Sequence, residues 1–261
     1  MNKRVAIITL CYDGLEFTVQ YIKSLYACTD INLFDLYIVN NHSSDGTEEY
    51  LNYLQTVYNN IRVLKSNINL GFSEGNNIAF KQIFESSLKY DFILEANNDI
   101  LVPKGWLESL LNCADSNPNA ALVGPVSNYV MDHQLVRINQ TVFCPSMIEI
   151  DRFAEFHVNQ CIDKKIPKYT REGVLSGFCL LIKYDVLKSF GLYPSDLVTY
   201  DDNLLSTYCL YSGYNIYCDR HNFVFHYGSK TFKDKNQDMR KIMKENYIRY
   251  IKEANKKLKI L

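Results

Sequence analysis

The chain has no excess of charge of either sign, no long apolar run and no paired spacing among its cysteines, and each absence removes a class of function. Its 261 residues carry 28 Lys and Arg against 29 Asp and Glu, a formal net charge of -1. No overall basic field exists to hold a phosphate backbone, so a general nucleic-acid binder is excluded and any basic function must be local. No stretch approaches the length of a membrane span. Met1-Asn2-Lys3-Arg4 runs straight into the strand-like Val5-Ala6-Ile7-Ile8-Thr9-Leu10, unlike a signal peptide, which predicts a cytoplasmic protein. The eight cysteines stand singly, several inside apolar runs such as Phe178-Cys179-Leu180-Leu181. They read as small buried hydrophobes in a reducing compartment, not as disulfides or a zinc site. No internal repeat or low-complexity tract is evident.

What is present is an ordinary globular composition, 47% hydrophobic and 22% charged, enough for one domain with a C-terminal appendage. Short apolar runs at Val5 to Leu10, Leu36 to Val39, Ile61 to Leu64 and Phe92 to Ala96 alternate with stretches of helical periodicity. That order predicts a mostly parallel sheet with right-handed crossovers and helices on both faces. The loops at the strand ends then open on one side and gather Thr9, Tyr12, Asn41, Asp45, Asn69, Gly71, Asn76 and Asp99 in a crevice of nucleotide-binding type.

The centre of that crevice is expected where Phe92-Ile93-Leu94-Glu95-Ala96 breaks into Asn97-Asn98-Asp99 before Ile100-Leu101-Val102-Pro103. A carboxylate at a strand end is placed to meet a ligand or its metal, although Asn-Asn-Asp is also ordinary turn composition. After a helix from Gly105 and a strand at Ala120 to Pro125, residues 127–170 lack clear periodicity and read as an inserted, partly ordered segment. Strand character resumes over Val174 to Lys183, and Tyr200-Asp201-Asp202 precedes another helix. Short strands follow at Tyr214 to Cys218 and Phe223 to Phe225, ahead of His226-Tyr227-Gly228-Ser229-Lys230. From Lys233 the chain reads as a basic amphipathic helix, suited either to lie on the domain or to touch an anionic membrane or acceptor.

Taken together, Val39-Asn40-Asn41-His42-Ser43-Ser44-Asp45-Gly46-Thr47, Asn69-Leu70-Gly71-Phe72-Ser73-Glu74-Gly75-Asn76-Asn77, Asn97-Asn98-Asp99, Tyr200-Asp201-Asp202 and His226-Tyr227-Gly228-Ser229 resemble, in order and spacing, the family 2 glycosyltransferases, and within them the rhamnosyltransferase-like branch. The likeness runs from about Val5 to Lys230. It implies a GT-A fold, a Rossmann-like nucleotide-binding mixed sheet flanked by helices in a single domain with a C-terminal helical appendage. It further implies a nucleotide-diphosphate sugar donor, Mn2+ or Mg2+, and inversion at the anomeric carbon. The expected division is a domain over 1–232, its nucleotide-sugar half ending near 125 and its acceptor half covering 126–232, followed by the basic helix over 233–261.

The resemblance also carries roles residue by residue. Asp99 matches the last acid of the family's metal-binding Asp-x-Asp motif, while Asn97 stands where the first acid usually lies. With one carboxylate, the metal is expected to bind chiefly together with the nucleotide, whose phosphates supply the missing charge. His226 resembles the family's C-terminal histidine, a metal or diphosphate contact; a hydrogen-bonded strand-end histidine is the plainer alternative. Asp202 matches the catalytic base and Asp201 replaces its Glu neighbour, though two acids also suit a helix start. Thr9 and Tyr12 resemble first-loop contacts to base and ribose, and Asn41 the base-reading position, where an amide offers both donor and acceptor. Asn69, Gly71, Asn76, Asn97 and Asn98 complete the donor-binding set, with loop bracing open as an alternative for Asn69 and Asn76. The acceptor is a glycan, a lipid-linked glycan or a protein, and a homodimer and a peripheral membrane contact are both open. The rival functions are a sugar nucleotidyltransferase, for which Cys11-Tyr12-Asp13-Gly14 lacks a Gly-rich phosphate loop with lysine, and an inactive nucleotide- or glycan-binding module.

Overall fold

Parallel strands can be joined only by a crossover, so the alternation of short apolar runs with amphipathic stretches fixes how the first half must fold. In the computed structural model, residues 4–130, 132–138, 145–195, 197, 199–228 and 239–259 are described. Cys144, Ser229, Lys230 and the start of the expected C-terminal helix, 233–238, lie outside them. The first half runs β1 (Val5–Cys11), α1 (Leu15–Cys28), β2 (Phe34–Asn40), α2 (Thr47–Val57), β3 (Ile61–Lys65), α3 (Gly71–Glu85) and β4 (Phe92–Ala96). It continues with β5 (Ile100–Leu101), α4 (Trp106–Ser116), β6 (Ala120–Val126), α5 (Met147–Asp163), β7 (Tyr169–Arg171) and β8 (Cys179–Lys183). The last elements are α6 (Tyr184–Phe190), α7 (Asp201–Tyr211), β9 (Asn215–Phe223), β10 (Phe225–His226) and α8 (Met239–Leu258).

One eight-stranded sheet has the order β3-β2-β1-β4-β8-β6-β9-β7, and β10 pairs with β5 in a separate two-stranded sheet. Pairing is parallel through β3-β2-β1-β4 and between β6 and β9, and antiparallel where β8 and β7 enter. Alternation along the strands builds a core on each face. Val5, Ile7, Leu36, Ile38 and Leu94 meet α1, α2 and α4 through Tyr21, Leu25, Leu51 and Trp106. Ala6, Ile8, Tyr37, Val39 and Ile93 meet α3, α6 and α7 through Phe80, Ile83, Leu187 and Leu204. By the same period of two, Glu95 on β4 points to the second face. The seven described cysteines are buried and free, the small hydrophobes that the sequence predicts.

Two sequence expectations change. Residues 127–170 hold a 17-residue helix, α5, where a partly ordered insertion is expected. Its periodicity is masked because Ile148, Phe156 and Ile162 stay exposed and only Ile150 and Cys161 are buried. Its start is nonetheless written in the sequence: Ser146 accepts from the Glu149 N–H and Glu149 accepts from the Ser146 N–H, a capping box. In place of two strands flanking 219–222, β9 is continuous, because its buried polar groups are satisfied: Asp219 accepts from the Ser109 hydroxyl and Asn222 donates to the Trp106 carbonyl.

α8 lies against α7 and α6. The Tyr200 and Tyr250 rings stack at 5.8 Å, the Thr207 and Tyr250 hydroxyls are 2.8 Å apart, and Lys257 Nζ donates to the Phe190 carbonyl at 2.7 Å. Among the described residues no helix is long and apolar enough to cross a membrane. Leu94, fully buried on β4 between β1 and β8, tests the core: Leu94→Ala should cost about 2–5 kcal/mol, read as a lower urea midpoint at unchanged slope. A loss under about 1 kcal/mol would contradict its place in a close-packed centre.

Candidate active site

The crevice floor is formed where β1, β2 and β4 end side by side, and hydrogen bonds stitch the loops that leave them. Asp13 accepts from the Ser44 N–H at 2.7 Å, Asp45 from the Leu15 N–H at 2.8 Å, and Asn40 from the Ser43 N–H at 3.0 Å. Asn41, 1% exposed, donates to the Asn69 side chain at 2.9 Å and to the Gly71 carbonyl at 3.3 Å, and accepts from the Leu70 N–H at 2.9 Å. Its amide therefore holds the Asn69 to Gly71 loop. Asn69 in turn accepts from the Gly71 N–H, and Gly71 takes φ of 73°, the left-handed region that glycine tolerates. Asn76 is buried and donates to the Phe72 carbonyl one helical turn back. Tyr12 is half-buried at the loop. Thr9 is fully buried and donates its hydroxyl to Tyr21, so its side chain belongs to the core and not to the crevice.

Beyond β4 the chain turns through Asn97, Asn98 and Asp99 into β5, whose antiparallel partner β10 ends in His226. This small sheet joins positions far apart in sequence: His226 Nε2 lies 3.1 Å from Asp99 Oδ1, and the Tyr227 N–H donates to the Asp99 carbonyl. Both side chains are nearly buried. Asn128 clamps the His226 backbone from both sides, accepting from its N–H at 2.9 Å and donating to its carbonyl at 3.0 Å. His226 Nδ1 lies 2.7 Å from the Tyr129 carbonyl, which can only accept. Nδ1 therefore carries a proton, and Nε2 is the ring atom that faces the carboxylate. A second ring proton donated to Asp99 satisfies this contact, and so would a cation bound to both groups. The set suits a divalent ion that takes imidazole and carboxylate, and among the described residues no third His, Cys, Asp or Glu joins it. Asn97 Nδ2 stands 3.4 Å from His226 Nε2, beside the pair, whereas the buried Asn98 donates to the Thr18 hydroxyl and faces α1. Gly228, at φ of 79°, packs so closely on Tyr129 that a Cβ there would come within 2.4 Å of a ring carbon.

The acid pair opens α7. Tyr200, at φ of 70°, turns the chain so that Asp201 is buried and Asp202 accepts from the Gly177 N–H at 3.2 Å and the Asn203 N–H at 2.8 Å. Burial raises the Asp202 carboxyl above the usual range, against the pull of those two N–H groups. Burial, and then repulsion from Asp202, pushes Asp201 up to about 8. Glu95 is 2% exposed and accepts from the Tyr193 hydroxyl at 3.1 Å, while its other oxygen has no partner among the described residues. Burial and then the neighbouring Asp201 carboxyl hold it well above the ordinary carboxylate range.

The consecutive residues Gly177 and Phe178 join the two half-sites. Gly177 donates to Asp202, while the Phe178 ring stacks on His226 at 5.3 Å and its carbonyl accepts from the Asn97 N–H at 2.9 Å. The base candidate and the Asp99-His226 pair therefore flank one dipeptide, whose Cα atoms are about 3.8 Å apart. Glu95, Asn128, Gly177 and Phe178 are absent from the sequence-level site. Glu95 alone leaves a trace there, as a charge inside an apolar strand; the others are placed by pairing that sequence order hides.

A family model described as Glycosyl transferase family 2 matches residues 6–191, ending before Asp201, Asp202 and His226. Among solved structures, S. aureus TarS 1-349 is similar at 15% identity and a TM-score of 0.60, over 85% of this chain and 60% of that one. The mannosyltransferase PcManGT from Pyrobaculum calidifontis, in complex with GDP-Man and Mn2+, is similar at 14% identity and a TM-score of 0.66, over 98% and 65%. GalNAc-T7 with UDP, GalNAc and Mn2+ is similar at 12% identity and a TM-score of 0.71, over 96% and 48%. The chain spans about half to two thirds of the length of these proteins, and the likeness is one of fold. No curated protein matches the sequence.

The raised Asp201 gives a stability test. The folded state holds a proton there that the unfolded chain has released, so stability must fall as pH rises between about 4 and about 8. Asp201→Asn should raise the melting temperature at pH 8 and leave it unchanged at pH 4. A difference of the same size at both values would contradict the assignment.

Proposed function

The chain belongs to glycosyl transferase family 2 and has a GT-A fold, and on that premise we propose that it is a metal-assisted, inverting glycosyltransferase. It moves a sugar from a nucleoside-diphosphate donor to a hydroxyl of a glycan, lipid-linked or protein acceptor, at the inner side of the cell. The order and spacing of the five sequence motifs favour the rhamnosyltransferase-like branch. The observation that carries this reading is the Gly177-Phe178 dipeptide, with Asp202 on one side and the Asp99-His226 pair on the other.

Asp99 and His226 would hold Mn2+ or Mg2+, with Asn97 beside them. A bound cation offsets the charge that collects on the departing diphosphate. Because the described residues offer two such ligands, donor phosphates would complete the shell, and metal and nucleotide would bind together. The braced loops of Asn41, Asn69, Gly71 and Asn76, with Tyr12 at the mouth, receive the nucleoside. Thr9 supports that wall from behind and Asn98 fixes the turn on α1.

Asp202 takes the proton from the acceptor hydroxyl as that oxygen attacks the anomeric carbon, opposite the leaving diphosphate. Gly177 and Asn203 orient its two oxygens. Asp201 is pushed up to about 8 while two N–H groups support the Asp202 carboxylate, so Asp202 is the member of the pair that ionises first. Its raised value puts the acid limb of the pH-rate profile above the usual Asp range, with rate rising as pH rises.

Asp202→Asn should lower transfer by about 10²–10⁴-fold and leave donor affinity in Mn2+ intact, while Asp99→Ala should weaken donor binding only when Mn2+ is present. Turnover by the Asp202 variant at the wild-type rate removes the base. A wild type that releases no nucleoside diphosphate from any UDP-, GDP- or dTDP-sugar is a binding module and not a transferase.

A further inference from the structure

A second cavity, of about 510 Å³, opens between α5 and residues 135–138, apart from the crevice described above. Its walls are mixed. Phe153 packs on Phe223 with ring centroids 4.6 Å apart, whereas Phe156 is 57% exposed, an aromatic face left open on the same helix. Gln160 adds an amide, and Arg137 and Lys164 add two exposed cations with no acidic partner among the described residues. His157 adds no charge: burial lowers its pKa, and its Nε2 donates to the Arg220 carbonyl at 2.8 Å.

The cavity is tied to the active site along both walls. Phe223 precedes His226 by three residues, about 10 Å of extended chain. On the other side the Val136 N–H donates to the Ser127 carbonyl at 2.8 Å, two residues before Tyr129, whose carbonyl holds His226. An open aromatic face, an amide and two cations without an acidic partner among the described residues are the groups that bind a sugar ring and an anion attached to it.

We propose that this cavity is an acceptor subsite for a glycan carrying phosphate or carboxylate groups, with Phe156 stacking on a sugar ring and Arg137 and Lys164 pairing with the anion. The proposal rests on the transferase reading and names the acceptor class for it.

The test is binding of the full-length protein to an immobilised panel of phosphorylated, uronate-containing and neutral oligosaccharides. The wild type should retain anionic members over neutral ones of the same length. Arg137→Glu with Lys164→Glu, both on exposed positions, should weaken that retention at least about tenfold, and Phe156→Ala should weaken it with the charges intact. Equal retention of neutral and anionic members, retention unchanged in the charge-reversed variant, or no retention of any member overturns the proposal. Donor hydrolysis by the wild type, measured alongside, separates the two readings. Hydrolysis without charge-dependent retention fails the cavity alone, and charge-dependent retention without hydrolysis fails the transferase reading and leaves a glycan-binding cavity.

Discussion

The arrangement depends on one hydrogen bond, from His226 Nδ1 to the Tyr129 carbonyl. It fixes the imidazole so that Nε2 meets Asp99 Oδ1 at 3.1 Å. In this nearly buried site a ring proton given to the carboxylate, or a cation bound to both groups, holds the two together. The surrounding structure maintains that contact: Asn128 grips the His226 backbone, Phe178 covers the ring, and β5 pairs with β10. An imidazole and a carboxylate fixed side by side in this way are in place before any ligand arrives.

The opposite wall holds acids where burial disfavours charge. Burial raises all three, Asp201 and Asp202 raise Glu95 further and Asp202 raises Asp201 further, and among the described residues no basic side chain is paired with them. Asp202 is the member whose carboxylate accepts from the Gly177 and Asn203 N–H groups. The stability lost by confining three carboxyls is the kind of local cost that functional sites carry and a well-packed sheet core offsets. Tyr193, pinned to Asn77 through both its N–H and its carbonyl, keeps Glu95 in register beneath the pair.

Much of this was legible in the sequence, for physical reasons. β1, β2 and β4 are apolar runs bounded by polar breaks, and a strand buried on both faces can hardly be written otherwise. Asp99, Asp201, Asp202 and His226 stood out as polar groups at element ends. Their meeting was not legible from spacing, because β5 and β10 are two residues each and pair across more than a hundred positions. Periodicity also says nothing about where an amide sends its hydrogens: Asn41, expected at the base, holds the Asn69 to Gly71 loop, and Thr9 turns into the core. α5 was hidden by its exposed apolar residues, while its capping box at Ser146 and Glu149 was in plain view.

The central claim is a cation held by one carboxylate and one imidazole, with a nucleotide completing its shell. Pulsed electron paramagnetic resonance on Mn2+ tests it most directly, with the protein titrated alone and in the presence of UDP or GDP. The account predicts weak Mn2+ binding without nucleotide, tight binding with it, and a single directly coordinated imidazole nitrogen that disappears in His226→Ala. Tight Mn2+ binding without nucleotide, or a ternary complex with no nitrogen ligand, would contradict it.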